Sequence, residues 1–545
     1  MPETSYDLVV VGAGINGAAI AREAAAQGLG VLLLDQADLG GGTTSASTRL
    51  IHGGLRYLEH GELGLVRESL REREILLECA PHLVEPLGLF IPVYVGGRRA
   101  RWQIGIGLQL YDWLAVGRSL PGHRMLSRDE LLAQVPGLTS DGLAGGAFYY
   151  DAQVQFPERL VVENVLDAVE HGARFMSYTR ATAVSIADGA VRGVDWRDRH
   201  GAAGRASARL VVNAAGPWVD RVLATLGSGS ATGARGRSGE SEEAHPRLIG
   251  GTKGSHLIVE GFRGAPDAAL YTEAASDGRP FFVIPWNGMY LIGTTDLRYS
   301  GDPGEATISD AEFGYLVEET ERLFPASGGV APHVLYTQSG VRPLPYEPGK
   351  AEGAVTRRHL IHAHEAARGL YSVIGGKLTT HRALAEQMLE RLRRDHDLGD
   401  RRGHAGNRPL PGAAPPAVRD ALLEELGSSF GAAEAQRLWC TYGGRAERLL
   451  ELIREEPELG ERAHKSLPLP AELVHALESE WAATLIDILQ RRCMLGLGPD
   501  FGLAAARFAA ETLRRLSVWD ESRAEQELEA YLTHARRFRV RALQE

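Results

Sequence analysis

DLVVVGAGINGAAIAREAAAQGLGVLLLD, residues 7–35, is the stretch that decides the fold of this 545-residue chain. It begins with an apolar, β-branched run that stops at Gly12, which is typical of a buried strand. The alanine-rich run 15–27 then predicts a helix, and the apolar run 31–35 predicts a second buried strand. A strand, a helix and a strand in so short a span form a βαβ unit, so the sequence predicts a parallel sheet.

The turn before the predicted helix has the spacing Gly12-x-Gly14-x-x-Gly17, with Asn16 inside it. Such glycines allow a tight turn and let backbone N–H groups reach a pyrophosphate at the positive end of a helix. The carboxylate of Asp35, at the end of the second strand, suits ribose hydroxyls. These features predict a dinucleotide site, and they fit both FAD and NAD.

The segment that follows favours FAD. Residues 38–60 read DLGGGTTSASTRLIHGGLRYLEH, whereas a plain NAD domain leads from its second strand into a helix. A loop dense in Ser, Thr and Gly suits a large cofactor, and Thr44, Ser45 and Ser47 are candidate contacts. An ordinary Gly/Ser surface loop is the alternative.

Composition excludes several classes of protein. The chain is 44% hydrophobic and 24% charged, which excludes collagen, coiled-coil rods and wholly disordered chains. The net charge of −11 makes non-specific binding of nucleic acid unfavourable, so we expect no nucleic-acid partner. The three cysteines lack a CxxC spacing, and we expect neither a disulfide framework nor a metal site. We also expect no signal peptide and no membrane-spanning segment.

Local patterns divide the rest of the chain. A strand is predicted near 173–180 and a β-meander over 181–213. Residues 227–246 are rich in Gly, Ser and charge, which predicts a flexible surface loop. The composition shifts to Asp, Arg, Gly and Pro over 396–416, and 417–545 has a helical pattern almost throughout.

Several motifs together resemble the FAD-dependent glycerol-3-phosphate dehydrogenases. Residues 44–60 are similar to the signature of that family, and NAAGPW at 213–218 to the turn that closes the FAD domain of its superfamily. Its substrate-domain and active-site motifs resemble KGSH at 253–256, PW at 285–286, IGTTD at 292–296, SGVRPL at 339–344 and GGKLTT at 375–380. The resemblance covers residues 5–395, and the loop 227–246 looks like an insertion.

The resemblance implies an α/β fold in which a Rossmann-like FAD-binding domain is interrupted by a mostly antiparallel β substrate domain. An all-α C-terminal domain follows. We assign 1–80, 150–220 and 340–395 to the FAD-binding domain, 81–149 and 221–339 to the substrate-binding domain, and 396–545 to the helical domain.

Oxidation of a secondary alcohol by a flavin needs a base for the O–H proton. Among the 18 histidines, the resemblance brings His52 and His256 near the flavin, and we take His52 as the first candidate. A packed histidine with no role in the chemistry is the alternative for each.

A phosphate group needs cationic donors, and the family motifs bring together Arg56, Arg342 and Lys377, with Tyr57 as an added donor. Arg342 could instead hold the alcohol oxygen, and Lys377 could lie beside the flavin ring. The glycines of GGKLTT would aim N–H groups at the flavin. The remaining predicted cofactor contacts are Ala181, Gly216, Gly375, Gly376, Lys377, Leu378 and Thr379.

The resemblance implies oxidation of sn-glycerol 3-phosphate to dihydroxyacetone phosphate, with FAD as hydride acceptor and a membrane quinone as the next acceptor. One alternative is an oxidase that reduces oxygen to hydrogen peroxide. Others are a different substrate of the amine and amino-acid oxidase superfamily, and a flavin-binding protein without activity. A homodimer is also left open.

Two basic segments suit a membrane surface. Residues 98–116 hold three arginines beside an apolar run flanked by Trp102 and Trp113, which favours peripheral binding to anionic lipid. A buried core helix is the alternative. The run 536–541 could also meet lipid, or be a frayed tail. The corresponding location is the cytoplasmic face of the inner membrane, with the cytoplasm as the alternative.

Overall fold

The computed structural model describes residues 4–115, 117, 119–226, 246–350, 353, 355–399 and 405–545. The predicted loop 227–246 therefore lies outside the described residues, apart from residue 246.

The strands are β1 (Thr4–Val11), β2 (Val31–Leu34), β3 (Leu50–Ile51), β4 (Val84–Tyr94), β5 (Arg124–Leu126), β6 (Leu143–Val154), β7 (Arg174–Met176), β8 (Thr179–Ala187), β9 (Ala190–Asp198), β10 (Ala203–Asn213), β11 (Thr252–Val259), β12 (Ala269–Glu273), β13 (Pro280–Trp286), β14 (Met289–Gly293), β15 (Leu297–Arg298), β16 (Val334–Arg342), β17 (Leu360–Ala363) and β18 (Leu370–Ile374). The α-helices are α1 (Ile15–Ala26), α2 (Leu63–Cys79), α3 (Arg101–Leu114), α4 (Arg128–Gln134), α5 (Pro157–Glu170), α6 (Val219–Leu223), α7 (Asp310–Leu323), α8 (His381–Asp395), α9 (Pro416–Phe430), α10 (Ala432–Tyr442), α11 (Ala446–Glu455), α12 (Pro470–Ser479), α13 (Leu485–Asp487), α14 (Leu503–Arg515) and α15 (Glu521–Arg536).

The first sheet has the strand order β17-β18-β10-β1-β2-β7, and β8 and β9 extend from β10. β1 runs parallel to both β2 and β10, so the predicted βαβ unit is confirmed. The predicted meander is confirmed as β8, β9 and β10. The strand predicted near 173–180 is confirmed as β7 but is shorter than predicted, because Tyr178 has a φ of 50° and separates β7 from β8.

The buried alanines of α1 allow this helix to pack closely against its neighbouring helices beside the first sheet. Ala18, Ala21 and Ala24 of α1 are fully buried, and α1 packs against both α5 and α8. Small side chains allow this helix to be enclosed on several sides without leaving cavities. The turn at its N-terminus is thereby fixed relative to the sheet.

The second sheet has the strand order β15-β11-β14-β13-β12-β4-β6-β3, with β16 paired to β11 and β5 to β6. It is antiparallel except for the pair β12 and β4. The short strand β3 follows the Ser/Thr/Gly loop directly and pairs with β6. The loop therefore leads from the first sheet into the second, and both sheets contact it.

The helical pattern of the C-terminal region is confirmed by α9 to α15. Residues of α12 to α15 share a core with the second sheet, whereas α9 to α11 form a separate core with the start of α12. A buried ion pair joins this region to α5: Arg159 donates to both carboxylate oxygens of Glu480, at 2.6 and 2.8 Å. Both side chains are fully buried.

Helix α3 is amphipathic, and its apolar side is divided between the core and solvent. Ile104, Leu108 and Tyr111 are buried. Trp102 and Trp113 are 66% and 68% exposed, so the alternative of a wholly buried core helix is wrong. No helix among the described residues combines the length and hydropathy that crossing a bilayer requires.

Arginines of the basic run 536–541 pair with acidic residues at the start of α7 and directly after β11. Arg539 pairs with Asp310 at 2.6 Å, and Arg541 pairs with Glu260 at 3.0 Å. The alternative of a frayed tail is therefore wrong, and these charges are partly neutralised within the chain.

The buried pair between α5 and the C-terminal region gives a stability prediction. Glu480→Gln removes the carboxylate that Arg159 binds through two hydrogen bonds and leaves only the more distant Glu163, at 3.8 Å, so we expect the free energy of unfolding to fall by about 3–5 kcal/mol. Glu478→Gln, on the exposed side of the same segment, is the control and should change it by less than about 0.5 kcal/mol. Urea denaturation followed by circular dichroism measures both. Equal stability of the two variants would contradict the assignment of this pair as an interdomain contact.

Candidate active site

Two large cavities adjoin between the sheets. The first, of about 690 Å³, is lined by the turn after β1, the loop after β2, the turn after β10 and the turn after β18. The second, of about 700 Å³, is lined by residues 52–57 and by strands of the second sheet. Lys377 lines the first and Tyr57 lines the second, with 3.8 Å between the Lys377 Nζ and the centre of the tyrosine ring.

The turn after β1 leaves no room for side chains. Gly12 has a φ of 106°, in the region that favours glycine. A Cβ at Gly17 would lie 1.8 Å from the carbonyl oxygen of Gly12. The close approach of helix and turn therefore requires both glycines, and Gly14 at the helix start leaves the cavity open.

Asp35 is held by backbone donors at the end of β2. Its carboxylate accepts hydrogen bonds from the N–H groups of Ala13, at 2.6 Å, and Ala37, at 2.9 Å. Burial raises the pKa of Asp35 to about 6, although these two bonds oppose the shift. A carboxylate fixed in this way, in a cavity beside a helix N-terminus, suits hydroxyl donors of a ribose.

The loop after β2 lies along the first cavity. The Thr44 hydroxyl accepts a hydrogen bond from the N–H of Ile15, at 3.2 Å, so the loop closes over the start of α1. The Thr43 hydroxyl donates to the carbonyl of Val341 at 2.6 Å, which ties the loop to β16. The loop thus contacts the elements that form both cavities.

The turn after β18 completes the first cavity. Gly375 and Gly376 have φ angles of 74° and 99°. A Cβ at Gly376 would lie 2.5 Å from Asn16 Nδ2, which donates to the carbonyl of Gly375 at 3.4 Å. Among the described residues, Asn16 Oδ1 and Lys377 Nζ are buried without a hydrogen-bond partner. Buried polar atoms of this kind are expected where a polar ligand completes the site.

Most of the predicted cofactor residues lie around this cavity. Its lining includes Gly12, Gly14, Asn16, Asp35, Thr44, Ser47, Ala181, Gly216, Gly375, Gly376, Lys377 and Leu378. Gly17, Ser45 and Thr379 do not line it. The Thr379 hydroxyl accepts the backbone N–H of His52 at 3.2 Å, which links the turn after β18 to the second cavity.

The second cavity contains a carboxylate shared by two arginines. Asp296 pairs through one oxygen with Arg342 Nη1 at 3.0 Å and through the other with Arg357 Nη2 at 2.7 Å. Although burial raises the pKa of Asp296, the two guanidinium groups outweigh it and hold the pKa below its ordinary value. Gly254 on β11 makes room for Arg342, because a Cβ there would lie 2.2 Å from Nη2.

Lys377 lies between the cavities. Burial lowers the pKa of its ammonium group to about 7, partly opposed by the charges of Glu62 and Glu68. Its position over the Tyr57 ring supplies a cation–π contact in place of hydrogen bonds. An anion bound in either cavity would stabilise its charged form.

The two predicted histidines, His52 and His256, differ in their access to the second cavity. His52 lines the second cavity, and burial lowers the pKa of its imidazole, partly opposed by Asp151. His256 lies behind Thr48, which lines the cavity, with 3.0 Å between His256 Nε2 and the Thr48 hydroxyl. Burial, followed by the charges of Arg342 and Arg49, lowers the pKa of His256 to about 3. The geometry thus brings only His52 of this pair to the cavity wall.

Sequence reasoning missed Arg357 and the pairing role of Asp296. Asp296 was part of the quoted IGTTD motif, yet its partners lie 46 and 61 residues further along the chain. Arg357 stands in a segment without periodicity, and a lone arginine there is most often a solvated surface charge. Its place 15 residues after Arg342, in a Gly-containing segment, is the only signal available.

Residues 7–391 match the family described as FAD dependent oxidoreductase. This chain belongs to that family. Residues 404–524 match a second family, described as the C-terminal domain of alpha-glycerophosphate oxidase. The predicted fold class and the FAD cofactor are thereby confirmed.

Relatives of this FAD-dependent oxidoreductase carry consistent names. The chain is 42% identical over 97% of its length to the glycerol-3-phosphate dehydrogenase of Synechocystis sp., covering 96% of that protein. It is 38% identical over 90% of its length to that of Pseudomonas aeruginosa, covering 92%. The glycerol-3-phosphate dehydrogenase of Bacillus halodurans, solved with FAD, matches with a TM-score of 0.78 and 27% identity, over 100% of this chain and 97% of that one. The resemblance noted from the motifs is therefore confirmed.

The first cavity fits FAD. Glycines at the turn after β1, the carboxylate of Asp35, and the orphaned polar atoms of Asn16 and Lys377 form the donor and acceptor set a dinucleotide needs. FAD supplies a two-electron hydride acceptor when bound. Lys377 would lie between the cofactor and the second cavity.

Adding one methyl group at Gly17 tests the role of the turn after β1 in binding FAD. We expect Gly17→Ala to displace the turn, because its Cβ would collide with the Gly12 carbonyl, and the purified protein to lose most of its FAD. Gly64→Ala is the control, since nothing lies within 4 Å of a Cβ there. The ratio of flavin absorbance to protein absorbance measures FAD content. Full flavin content in Gly17→Ala would contradict the role of this turn.

Proposed function

We propose that this chain oxidises sn-glycerol 3-phosphate to dihydroxyacetone phosphate, with FAD as hydride acceptor and a membrane quinone as the next electron acceptor. The observation that carries the proposal is the cluster of cationic side chains in the cavity that adjoins the FAD cavity. The names of the relatives support the same substrate.

The cluster suits a phosphate dianion. Arg56, Arg342 and Arg357 line the second cavity, and Lys377 lies at its junction with the first. Asp296 neutralises only part of this charge, because one carboxylate serves two guanidinium groups. Planar guanidinium groups bind phosphate oxygens in pairs, so a phosphate monoester would supply the missing negative charge.

His52 is the base we propose. Because burial lowers its pKa, the imidazole is neutral near pH 7 and can accept a proton. His52 would accept the O–H proton of the substrate C2 hydroxyl, and FAD, when bound, would supply the acceptor for the C2 hydrogen with its electron pair, so that the C2–O bond would become a carbonyl. Two electrons leave the substrate, so the step balances as alcohol to ketone.

Lys377 and Arg342 have different proposed tasks. Lys377, which has no carboxylate hydrogen-bonded to its Nζ in the described residues, would balance the negative charge that develops on the reduced cofactor. Arg342 and Arg357 would hold the phosphate, with the phenol of Tyr57 as a neutral donor, since burial raises the Tyr57 pKa.

Helix α3 supports the membrane part of the proposal. Trp102, Ile106 and Trp113 are exposed on one helix, and Arg101 at its start is exposed as well. A tryptophan-flanked apolar surface beside basic residues is typical of a helix that lies in a membrane interface. We propose peripheral attachment to the cytoplasmic face of an inner membrane through this surface.

A third cavity supports the proposed transfer of electrons to an acceptor in the membrane. It has a volume of about 300 Å³ and lies between α3 and residues 55–58. It shares Leu55, Arg56, Arg98 and Tyr271 with the substrate cavity. A quinone head group entering beside α3 would therefore approach the substrate cavity from the side that we propose faces lipid.

Anaerobic flavin reduction tests the reaction. Glycerol 3-phosphate should bleach the flavin absorbance, and a quinone analogue should restore it quickly while air restores it slowly. Fast reoxidation by air with hydrogen peroxide would identify an oxidase. Bleaching by an amino acid and not by glycerol 3-phosphate would overturn the substrate.

The choice of base gives a kinetic prediction. His52→Asn should slow anaerobic flavin reduction by about 10²–10⁴-fold, because the proton acceptor is lost. In the unmodified protein the acidic limb of the pH profile should lie below pH 6.5, since burial lowers the His52 pKa from that value and the base must be unprotonated. His256→Asn is the comparison. If the rate of flavin reduction falls more in His256→Asn than in His52→Asn, His256 and not His52 is the base.

The exposed face of α3 gives a membrane-binding prediction. Trp102→Ser together with Trp113→Ser should weaken binding to vesicles with anionic lipid by at least about tenfold, because two large apolar side chains leave the interface. Flavin bleaching by substrate should be unchanged. Val418→Ser with Val518→Ser, at exposed apolar positions outside α3, is the control. Equal sedimentation of both double variants with vesicles would contradict the proposed surface.

A further inference from the structure

The C-terminal helical region makes ionic contacts with the wall of the FAD cavity. Asp38 lines that cavity, in the loop after β2. Its carboxylate accepts from Arg491 Nε at 2.6 Å and from Arg492 Nη1 and Nη2 at 2.9 and 2.7 Å. Asp38 and Arg492 are buried, and Arg491 is nearly so. These arginines come from the far end of the chain, 453 and 454 residues away.

The arginines also determine the charge of the cavity wall. Although burial raises the pKa of Asp38, Arg492 and Arg491 outweigh it and hold the pKa below the ordinary value. Asp38 is therefore ionised and paired. Without that pairing its negative charge, close to Asp35, would repel an anionic dinucleotide.

The contact is anchored on both sides. Arg491 Nη2 also pairs with Asp487 at 2.5 Å, and Asp487 accepts from the Tyr178 hydroxyl at 2.8 Å. The backbone N–H of Tyr178 donates to the carbonyl of Ala37 at 2.9 Å, next to Asp38. The C-terminal region, the turn before β8 and the loop after β2 thus form one connected network.

The same region reaches the other end of the loop through α5. Arg159 of α5 binds Glu480 of the C-terminal region, and its neighbour Glu158 binds Arg49 at 3.0 Å through both carboxylate oxygens. Arg49 in turn donates to the carbonyl of Ser45 at 3.2 Å. Consecutive residues of α5 therefore connect the C-terminal region to the loop.

A second segment of the cavity wall is contacted directly. Gly304 and Glu305 line the FAD cavity. Arg537, just after α15, donates to the Gly304 carbonyl at 2.6 Å and pairs with Glu305 at 3.4 Å. The C-terminal region thus contacts two segments of the wall that are more than 260 residues apart in sequence.

We infer that the C-terminal helical region acts as a clamp that retains FAD, through Asp38 on one wall segment and Gly304–Glu305 on another. Arg491, Arg492 and Arg537 are positioning residues in this account, since they act through the cavity wall. The inference concerns cofactor retention and is independent of the substrate.

The rate of FAD release from the holoprotein tests the clamp. Arg491→Gln should release FAD at least about tenfold faster than the unchanged protein, because Asp38 loses a charged partner and the loop loosens. Released FAD is measured in the filtrate after ultrafiltration at timed intervals. This readout does not depend on activity.

Arg462→Gln is the matched control. Arg462 is likewise a largely buried arginine of the C-terminal region, but its partners, Glu434 and the carbonyl of Leu467, lie within that region and away from Arg491 and Arg492 in sequence. Its loss should lower the melting temperature without changing the rate of FAD release by more than about twofold.

Arg537→Gln tests the contact with Gly304 and Glu305. The Arg537 side chain is partly exposed, so we expect the protein to fold without it. It should accelerate FAD release by about threefold, and more when combined with Arg491→Gln. If Arg491→Gln does not fold, Arg537→Gln alone still decides. FAD release at the unchanged rate in these variants, or equal acceleration in Arg462→Gln, would overturn the clamp.

Discussion

The arrangement of the candidate active site depends on one partly buried carboxylate that pairs with two arginines. Asp296 gives one oxygen to Arg342 and the other to Arg357, and fixes two like charges close together. Two guanidinium groups in a partly buried cavity repel each other unless an anion lies between them. Asp296 supplies one negative charge, so the cavity keeps an excess of positive charge. A ligand that carries negative charge completes it, which is the physical basis for the phosphate substrate we propose.

The loop between β2 and β3 makes this cavity adjoin the cofactor. It starts at the carboxyl end of the first sheet, passes along the FAD cavity and pairs into the second sheet as β3. His52 and Arg56 follow immediately after that strand. One continuous segment therefore contributes to both cavities, and displacement of the loop would change cofactor and substrate sites together. Its ionic contacts with α5 and with the C-terminal region connect a helical region that is distant in sequence to the wall of the cofactor cavity.

Local sequence was enough to predict the βαβ unit, since buried apolar runs and glycine spacing are short-range signals. It also predicted the helical C-terminal region. The family resemblance, together with the glycine turn and the Ser/Thr/Gly loop, supplied most of the residues around the FAD cavity. The pairing of Asp296 with Arg342 was missed because it forms only when β11, β15 and β16 align, and no local pattern encodes that register. Arg357 was missed because it lies between strands, in a segment without periodicity. The break at Tyr178 was missed because a non-glycine residue with positive φ has no sequence signal. The exposed face of α3 depends on what packs behind it, which composition does not reveal.

Binding of inorganic phosphate to the oxidised, FAD-loaded protein tests the central claim most directly. The flavin absorbance spectrum reports occupancy of the adjoining cavity. We expect phosphate to perturb the spectrum with saturation and glycerol not to. Arg357→Met should weaken phosphate binding by at least about tenfold, because a charged hydrogen-bonding partner is lost. Binding of glycerol as tight as that of phosphate, or unchanged phosphate binding in Arg357→Met, would contradict the account.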